Sequence, residues 1–299
     1  MLVAPSRIAD RLAAPPVRAT AEELRALGAF ERFAFRTCDL VNSRPGAKRV
    51  AQWFLHHVGM AWVCASTRRL VRLDGESVLR ALDPTKGLLL CANHRSFFDL
   101  YVVSSWIGET LGRLPNLYFP VRANFFYENP LGLLVNLAMS AFAMYPPVFR
   151  DARKKDFNAY ALARIVELAR TPGALVGFHP EGTRGKGPDP YTLLPAQPGV
   201  GQVIYEARPL VLPVFVNGLG NGIARQFVDN LTGRGEPVWV VFGQPLELTR
   251  FYALPNRLRT HKTIADHVLA EIAKLGERER ALRSGATPAQ PSQSRDESA

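Results

Sequence analysis

The repeated succession of short apolar runs and longer helix-like stretches constrains the fold of this chain more than any other feature. Four apolar runs have the length and the polar bounds of buried strands, namely 87–92, 174–178, 210–216 and 237–242. Stretches such as 157–170 and 198–208, which separate them, have the composition of helices. This alternation predicts an α/β fold in which helices flank a sheet.

The polar turn after the first run contains a histidine and an aspartate. It reads Asn93-His94-Arg95-Ser96-Phe97-Phe98-Asp99, and the apolar stretch that follows, to residue 107, has the character of a core helix. Polar groups at this place are informative, because ligands of open α/β sheets bind at the carboxyl ends of the strands. The segment therefore predicts a functional site at the end of the first strand.

The spacing of His94 and Asp99 restricts how the two side chains can meet. In one continuous helix, residues five apart point about 140° away from each other. The two can meet only if His94 lies in the turn and Asp99 in the first turn of the helix. Ser96, followed three residues later by an acid, resembles a capping box and is the predicted N-cap. An acid bonded to one ring nitrogen would leave the other as a general base; alternatively, Asp99 only caps the helix and His94 is a polar turn residue.

A second polar turn, after the second apolar run, has the composition of an anion site. Its three glycines, Gly182, Gly185 and Gly187, allow backbone N–H groups to approach a ligand closely. Arg184 and Lys186 add positive charge suited to phosphate, arginine with the better geometry. Taken alone, the segment has a loop without function as its alternative.

Taken together, the two turns resemble the signature of the glycerolipid acyltransferase family, whose best-known members acylate 1-acylglycerol-3-phosphate. That signature is Asn-His-x4-Asp followed about eighty residues later by Phe-x-Pro-Glu-Gly-Thr-Arg, here at 93–99 and 178–184. Two further segments, 122–132 and 212–216, resemble the family's basic block and its Val-Pro-Val strand. The resemblance covers roughly residues 75–250 and implies an α/β sandwich with a mixed sheet.

The resemblance also implies a reaction, namely acyl transfer from acyl-CoA or acyl-carrier protein to a hydroxyl group without an acyl-enzyme. His94 would take the proton of the acceptor hydroxyl, and Asp99 would orient its ring. Glu181 and Arg184 would hold the head group of the acceptor, most simply a glycerol phosphate. The predicted substrate-binding residues are Asn93, Ser96, Arg122, Arg150, Glu181, Gly182, Thr183 and Arg184. No cofactor and no metal ion is expected in addition to the acyl donor.

Two departures from the family pattern bear on the acceptor. The family's second motif is a short hydrophobic strand that ends in arginine, and its counterpart here, 144–150, contains Pro146 and Pro147. Because neither proline can donate to a ladder, the segment is predicted to be an edge strand or a loop, with Arg150 as the arginine of the motif. The chain also reads Ala-Gln-Pro-Gly at 196–199, where the family commonly has a Lys-Gly pair. This second departure leaves the head group of the acceptor open.

The charge balance predicts an anionic partner. The formal net charge is +11, from 37 lysines and arginines against 26 aspartates and glutamates. No recognised nucleic-acid-binding signature accompanies this charge and the aromatic residues are scattered, so nucleic acid is not expected. An anionic membrane surface, the phosphates of CoA or an acidic carrier protein accounts for the surplus, and so does an ordinary solvated surface.

Residues 20–72 are predicted to form an amphipathic helical hairpin. The first helix begins at the capping box Thr20-Ala21-Glu22-Glu23 and continues to about residue 41, and the second covers about 48–69. The apolar part of the second helix, 50–65, is shorter than the ~20 residues of a spanning helix. We therefore expect the hairpin to lie in a membrane interface. A helix pair packed on the α/β core and a transmembrane span are the alternatives.

The remaining boundaries follow from composition. Residues 1–19 are expected to be flexible, 73–283 to form the acyltransferase α/β domain, and 284–299, rich in Ser, Pro and Gln, to be disordered. The apolar segment 131–145 is expected to be a core helix with one face on an acyl-chain groove. Charged residues interrupt the first eleven positions, so no secretory signal is expected. The predicted location is the cytoplasmic face of the inner membrane, as a peripheral or monotopic protein.

Two classes of function are compatible with these features. The first is a membrane-associated O-acyltransferase acting on a lysophospholipid, most simply 1-acylglycerol-3-phosphate, with glycerol-3-phosphate or a lyso-ornithine lipid as other acceptors. The second is a non-catalytic lipid-binding protein that keeps the fold for membrane docking. The motifs retain every residue that the chemistry requires, which favours the enzyme.

Overall fold

A mixed sheet of six strands organises the protein, whose computed structural model describes residues 16–83, 85–220 and 222–285. The six strands are β1 (Val71–Asp74), β2 (Leu88–Ala92), β3 (Asn116–Tyr118), β6 (Ala174–Phe178), β7 (Leu210–Asn217) and β8 (Val238–Phe242). Their order in the sheet is β1-β8-β7-β2-β6-β3, and only the β7–β8 pair is antiparallel. A second, two-stranded sheet consists of β4 (Val121–Arg122) and β5 (Pro147–Val148). The prediction of an α/β fold with a mixed sheet is confirmed.

Helices cover both faces of the six-stranded sheet. In chain order they are α1 (Ala21–Arg25), α2 (Ala29–Ser43), α3 (Pro45–Phe54), α4 (Ala61–Thr67), α5 (Ser77–Arg80), α6 (Asp99–Leu111), α7 (Ala123–Phe126), α8 (Pro130–Ser140), α9 (Lys155–Arg170), α10 (Pro198–Ala207), α11 (Ile223–Thr232), α12 (Thr249–Tyr252) and α13 (Leu258–Arg283). A π-helical segment, Leu55–Met60, joins α3 to α4, and a 3-10 turn, Ala152–Lys154, precedes α9.

The central strands are apolar on both faces because each face meets its own layer of helices. Along β2, Leu89 and Cys91 belong to one hydrophobic core, together with α9, α10 and α13. Leu88 and Leu90 belong to the other, together with α4 and α6. This arrangement explains why the strands read as continuous apolar runs rather than alternating ones. All four predicted strands are present, whereas the sequence did not indicate the short edge strands β1 and β3.

The predicted N-terminal hairpin forms helices with different boundaries. The capping box is present, since Thr20 Oγ1 accepts the N–H of Glu23 at 3.3 Å and the Glu23 carboxylate accepts the N–H of Thr20 at 2.7 Å. The first helix is interrupted between α1 and α2, and the second begins at Pro45 rather than at 48. Proline is well placed there, because the first residue of a helix needs no N–H partner.

These N-terminal helices pack on the α/β core. Phe35 of α2 meets the ring of Phe157 edge-to-face at a centroid distance of 5.0 Å, and Lys48 of α3 donates to the carbonyl oxygen of Leu117 at 2.7 Å. The predicted domain boundary between 72 and 73 falls within β1. Large apolar side chains also remain exposed on this region, at Phe33, Leu40, Val50, Trp53 and Val58. Association of the region with a membrane stays a prediction.

No helix within the described parts of the chain has both the length and the apolar character needed to cross a bilayer. The predicted flexible N-terminus, 1–19, and the predicted disordered tail, 284–299, lie outside the described residues except for 16–19 and 284–285.

The apolar segment 131–145 is not a core helix. It forms α8 and the loop after it, and three leucines of α8 point outward, with Leu131 and Leu134 more than half exposed. The prediction is wrong because apolar composition indicates that a segment avoids water, but not whether the protein core or some other surface shields it.

Candidate active site

The two polar turns meet because β2 and β6 are neighbours. The strands are parallel and pair Cys91 with Phe178, so the chain leaves both strands at the same edge of the sheet. His94 follows β2 after one intervening residue, and His179 follows β6 directly. The sheet register therefore places two imidazoles side by side at its carboxyl edge.

Asn93 anchors the first turn to the sheet. Its side-chain amide donates to the carbonyl oxygen of Val216 at 2.9 Å, and its Oδ1 accepts the N–H of the same residue at 2.7 Å. The side chain thus replaces one rung of the β2–β7 ladder, and it is fully buried. Asn93 lies behind the turn, so that His94 starts from a fixed backbone.

Asp99 shapes the rest of this turn. Its Oδ2 accepts the N–H groups of Arg95 at 2.7 Å and Ser96 at 2.8 Å. Ser96 Oγ accepts the N–H of Phe98 at 3.2 Å and donates to the carbonyl oxygen of Gly220 at 2.9 Å. Helix α6 consequently begins at Asp99, and the prediction of Ser96 as its N-cap is wrong. The physical reason is that a tight turn stabilised by the carboxylate occupies the three residues before the helix.

The same carboxylate oxygen orients His94. Asp99 Oδ2 lies 3.2 Å from Nδ1 of the ring, so Nδ1 carries the proton and Nε2 is left as the basic nitrogen. Burial, assisted by the positive charge of Arg184, lowers the pKa of His94 to about 4. Burial raises the pKa of Asp99 to about 6. Near pH 7 the pair therefore consists of a neutral imidazole and a carboxylate, which is the form of a general base with its orienting acid.

Glu181 ties the second turn to the first. One carboxylate oxygen accepts the N–H of His94 at 2.8 Å, and the other accepts the N–H of Leu194 at 2.7 Å. Gly185 returns a hydrogen bond from its N–H to the carbonyl oxygen of His94 at 2.8 Å. Glu181 is buried, so its carboxylate holds the backbone that carries His94. Its predicted role as a ligand of the acceptor stays a prediction.

A cavity of about 720 Å³ opens in front of His94. Six of the predicted site residues line it, namely His94, Arg122, Arg150, Gly182, Thr183 and Arg184. The other wall is apolar and largely aromatic, with Phe97, Leu100, Tyr101, Phe119, Phe126, Met144 and Phe149. Cationic and apolar side chains therefore line the same cavity as the imidazole of His94. The remaining predicted residues, Asn93, Ser96, Asp99 and Glu181, are buried and do not line the cavity.

The small sheet positions two of the three arginines. Strand β5 has only two residues and pairs in parallel with β4, with Arg122 opposite Val148. This confirms the prediction that the double proline restricts the segment 144–150 to an edge strand or loop. Arg150 follows β5 after one residue, so the pairing brings it and Arg122 to the same cavity.

The comparison with protein families agrees with this geometry. Residues 70–217, from the start of β1 to the end of β7, match the model of the family described as Acyltransferase. This chain is a member of the glycerolipid acyltransferase family. No curated protein matches the chain. The matched range contains both turns, the small sheet and all three cavity arginines, so the acyltransferase region and the cavity coincide.

His179 is a residue of the candidate site that sequence reasoning missed. Its ring stacks on that of His94 with the centroids 3.7 Å apart and the planes within 9° of parallel. Its Nδ1 donates to the carbonyl oxygen of Ala92 at 3.0 Å. Burial, assisted by the neighbouring His94, lowers the pKa of His179 to about 4. Its place directly after the predicted strand 174–178 was the available signal in the sequence.

The same residues bear on the prediction that the site holds no metal ion. His94, Asp99 and His179 each have a ligand atom within 4.8 Å of the others, the one such group found among the described residues. A metal ion lies in the plane of each imidazole that binds it. The planes of these two rings are nearly parallel, so their lone pairs do not converge on one point unless a ring turns. The observed arrangement is that of a stacked imidazole pair.

Proposed function

We propose that the protein transfers a fatty acyl chain from acyl-CoA or acyl-carrier protein to the hydroxyl group of a lysophospholipid, with 1-acylglycerol-3-phosphate as the acceptor. The observation that carries the proposal is that His94, in contact with Asp99, lines one cavity together with three arginines and many apolar side chains. Acyl transfer to a phospholipid needs all three parts: a base, a phosphate site and room for an acyl chain.

The proposed reaction needs one proton acceptor and no covalent enzyme intermediate. Nε2 of His94 takes the proton from the acceptor hydroxyl while the oxygen attacks the thioester carbonyl. Asp99 stabilises the imidazolium that forms, because its carboxylate contacts Nδ1. The tetrahedral intermediate then expels the thiolate, which receives the proton from His94. One C–O bond is formed, one C–S bond is broken, and His94 returns to its neutral form.

The three arginines favour an acceptor that carries a phosphate. Arg122, Arg150 and Arg184 come from different segments of the chain and line the same cavity. Guanidinium groups bind phosphate oxygens with two parallel hydrogen bonds, so a cluster of them is well suited to a phosphate monoester. The Lys-Gly pair that the family commonly has after the second turn is absent, since this chain reads Ala-Gln-Pro-Gly at 196–199, so the proposed phosphate site consists of the arginines.

The proposed place of action is the cytoplasmic face of the inner membrane, with the protein bound peripherally or monotopically to an anionic surface. The net charge of +11 supports attraction to anionic lipid. The exposed Val50, Trp53 and Val58 along α3 and the π segment support contact of the 20–72 region with the interface.

The test is to measure thiol release and ester formation together across a panel of acceptors. The panel contains lysophosphatidic acid, glycerol-3-phosphate, lysophosphatidylcholine and a lyso-ornithine lipid, each with acyl-CoA and with acyl-carrier protein. We expect lysophosphatidic acid to give the largest acceptor-dependent thiol release, matched by phosphatidic acid detected by mass spectrometry. Preference for a phosphate-free acceptor would contradict the assignment of the head group. Lipid binding without acceptor-dependent thiol release from either donor would favour the non-catalytic lipid-binding protein.

A further inference from the structure

Helix α8 buries a stripe of small and polar residues and exposes three leucines. Its buried positions are Gly132, Asn136 and Ser140, spaced by four residues, so they form one stripe that faces the protein. Its outward positions include Leu131, Leu134 and Leu137, which are 59%, 58% and 44% exposed. A helix on the surface of a water-soluble protein has the opposite arrangement, with apolar residues inside and polar residues outside.

The inner stripe is polar because it is hydrogen-bonded. Asn136 Oδ1 accepts the hydroxyl of Ser140 at 2.7 Å and the N–H of Met144 at 3.3 Å. Gly132 lies so close to α7 that a Cβ atom there would be 1.8 Å from the carbonyl oxygen of Phe125. These contacts fix the rotation of α8 about its axis. The outward direction of its leucines therefore follows from the packing of the other face.

The three leucines lie in a stretch of the sequence that contains no charged residue. Residues 129–149 include no Asp, Glu, Lys or Arg. An exposed apolar surface of this kind marks a contact with a partner or with a membrane. This stretch therefore contributes no charged side chain to the contact, which favours lipid over the charged and polar rim of a protein–protein interface.

The face of α8 also continues toward the cavity. Phe125, on the helix that packs against α8, is 41% exposed and lines the cavity that contains His94. Arg122 and Arg150 are exposed and line the same cavity. An apolar helix next to a cationic opening matches the two layers of an anionic bilayer surface, with acyl chains below and head groups above.

We propose that the leucine face of α8 docks on an anionic lipid bilayer, with the helix lying flat in the interface and the cavity opening toward the lipid. With 11 residues, α8 is roughly 16 Å long and too short to span. The inference rests on the proposed function in one respect, namely that the substrates reach the cavity from the membrane. It adds a second contact outside the 20–72 region, and this contact orients the cavity.

The first experiment compares vesicle binding of the wild type with the triple variant Leu131→Gln, Leu134→Gln and Leu137→Gln. Glutamine keeps helix propensity while removing apolar surface. The matched control replaces Leu254 and Leu258, which are similarly exposed near α12 and α13, with glutamine. In flotation with phosphatidylglycerol–phosphatidylcholine vesicles we expect the triple variant to lose roughly tenfold or more in partitioning and the control to bind as the wild type does.

Binding of the triple variant equal to that of the wild type, or an equal loss in the control, would overturn the proposal. A wild type that does not float with the vesicles would overturn it as well. Thiol release with detergent-dispersed substrates is measured in parallel, because the three leucines do not line the cavity. Unchanged turnover with lost flotation is the expected pair of results. Flotation is measured without turnover, so failure of the proposed function and failure of the docking proposal give different results.

A second measurement reports the location of α8 directly. The three native cysteines, Cys38, Cys64 and Cys91, are buried, so a cysteine introduced by Leu134→Cys is the accessible site for an environment-sensitive fluorophore. We expect a blue-shifted, brighter emission when anionic vesicles are added, and no shift for the same label at Leu258→Cys. An unshifted emission at 134 in vesicle-bound protein would overturn the proposal. A shift that needs no vesicles and accompanies self-association would assign the face to a second copy of the chain instead.

Discussion

The turn after β2 and the turn after β6 leave the same edge of the sheet, yet they differ in exposure. In the first, Asn93, Ser96 and Asp99 are buried and each makes hydrogen bonds. In the second, Thr183 and Arg184 are exposed at the cavity. A base needs fixed geometry and a controlled pKa, which burial provides. A head-group site must exchange its ligand with solvent or lipid, which exposure allows. We therefore expect changes in the first turn to reduce kcat and changes in the second to raise KM.

The largest effect in this comparison is expected for Asp99→Asn. The amide cannot stabilise an imidazolium and favours the wrong ring tautomer, so kcat should fall by about 10²–10⁴-fold while the acceptor KM changes little. Steady-state kinetics with varied acceptor measures both. A kcat within about threefold of the wild type would remove Asp99 from the proton transfer.

The pH profile of the wild type follows from the same pair. The working form has a neutral His94 and an ionised Asp99. Since the pKa of His94 is lowered to about 4 and the pKa of Asp99 is raised to about 6, both conditions hold above about pH 6. Activity should therefore fall as the pH drops through about 6, when the pair takes up a proton. A kcat/KM that stays flat between about pH 5 and about pH 8 would contradict this electrostatic assignment.

A substitution of Glu181 tests whether the two turns act independently. Glu181 belongs to the second turn, but its carboxylate accepts the N–H of His94 in the first. Glu181→Gln leaves one of the N–H groups of His94 and Leu194 without its carboxylate oxygen, which should cost about 1–3 kcal/mol of folding stability. Thermal unfolding and kinetics on the same sample distinguish a role of Glu181 in positioning His94 from a role in binding the acceptor. A lower Tm with a lower kcat supports a positioning role. A raised acceptor KM at unchanged Tm would instead make Glu181 a ligand of the acceptor.

A smaller effect, confined to binding, is expected for Arg184→Ala. Loss of one guanidinium from the cavity should raise the KM for a phosphate-bearing acceptor by roughly tenfold, with kcat changed much less. Lys186→Ala is the matched control, because Lys186 is exposed in the same loop but does not line the cavity. Equal KM values in the two variants would show that Arg184 acts only through general charge.

The smallest effect is expected for His179→Phe. The phenyl ring preserves the stacking on His94 but removes one imidazole that can be protonated, so activity near pH 8 should stay within about threefold of the wild type. The positive charge of a protonated His179 lowers the pKa of Asp99, so without it the acid limb of the pH profile should move to higher pH. An unchanged acid limb would assign His179 to packing alone.

Local and non-local features differ in how far the sequence reveals them. The His94–Asp99 contact was predictable because five residues and one turn determine it. The stacking of His179 on His94 was not, because it depends on the register between β2 and β6, which are more than eighty residues apart. The same holds for α8, whose apolar composition was evident but whose outward direction is determined by hydrogen bonds of Asn136 to the loop after it. Strands buried on both faces were found, and the short edge strand β3 was not.

The central claim is that His94 is the base of an acyl transfer, and one measurement tests it most directly. Acceptor-dependent thiol release from acyl-CoA is compared for the wild type, His94→Ala and the control His57→Ala, whose histidine is exposed and absent from the cavity wall. The account predicts that His94→Ala loses at least about 10²–10⁴-fold in kcat while its far-UV spectrum and Tm remain those of the wild type. His57→Ala should turn over as the wild type does. Turnover of His94→Ala at the wild-type rate would contradict the account.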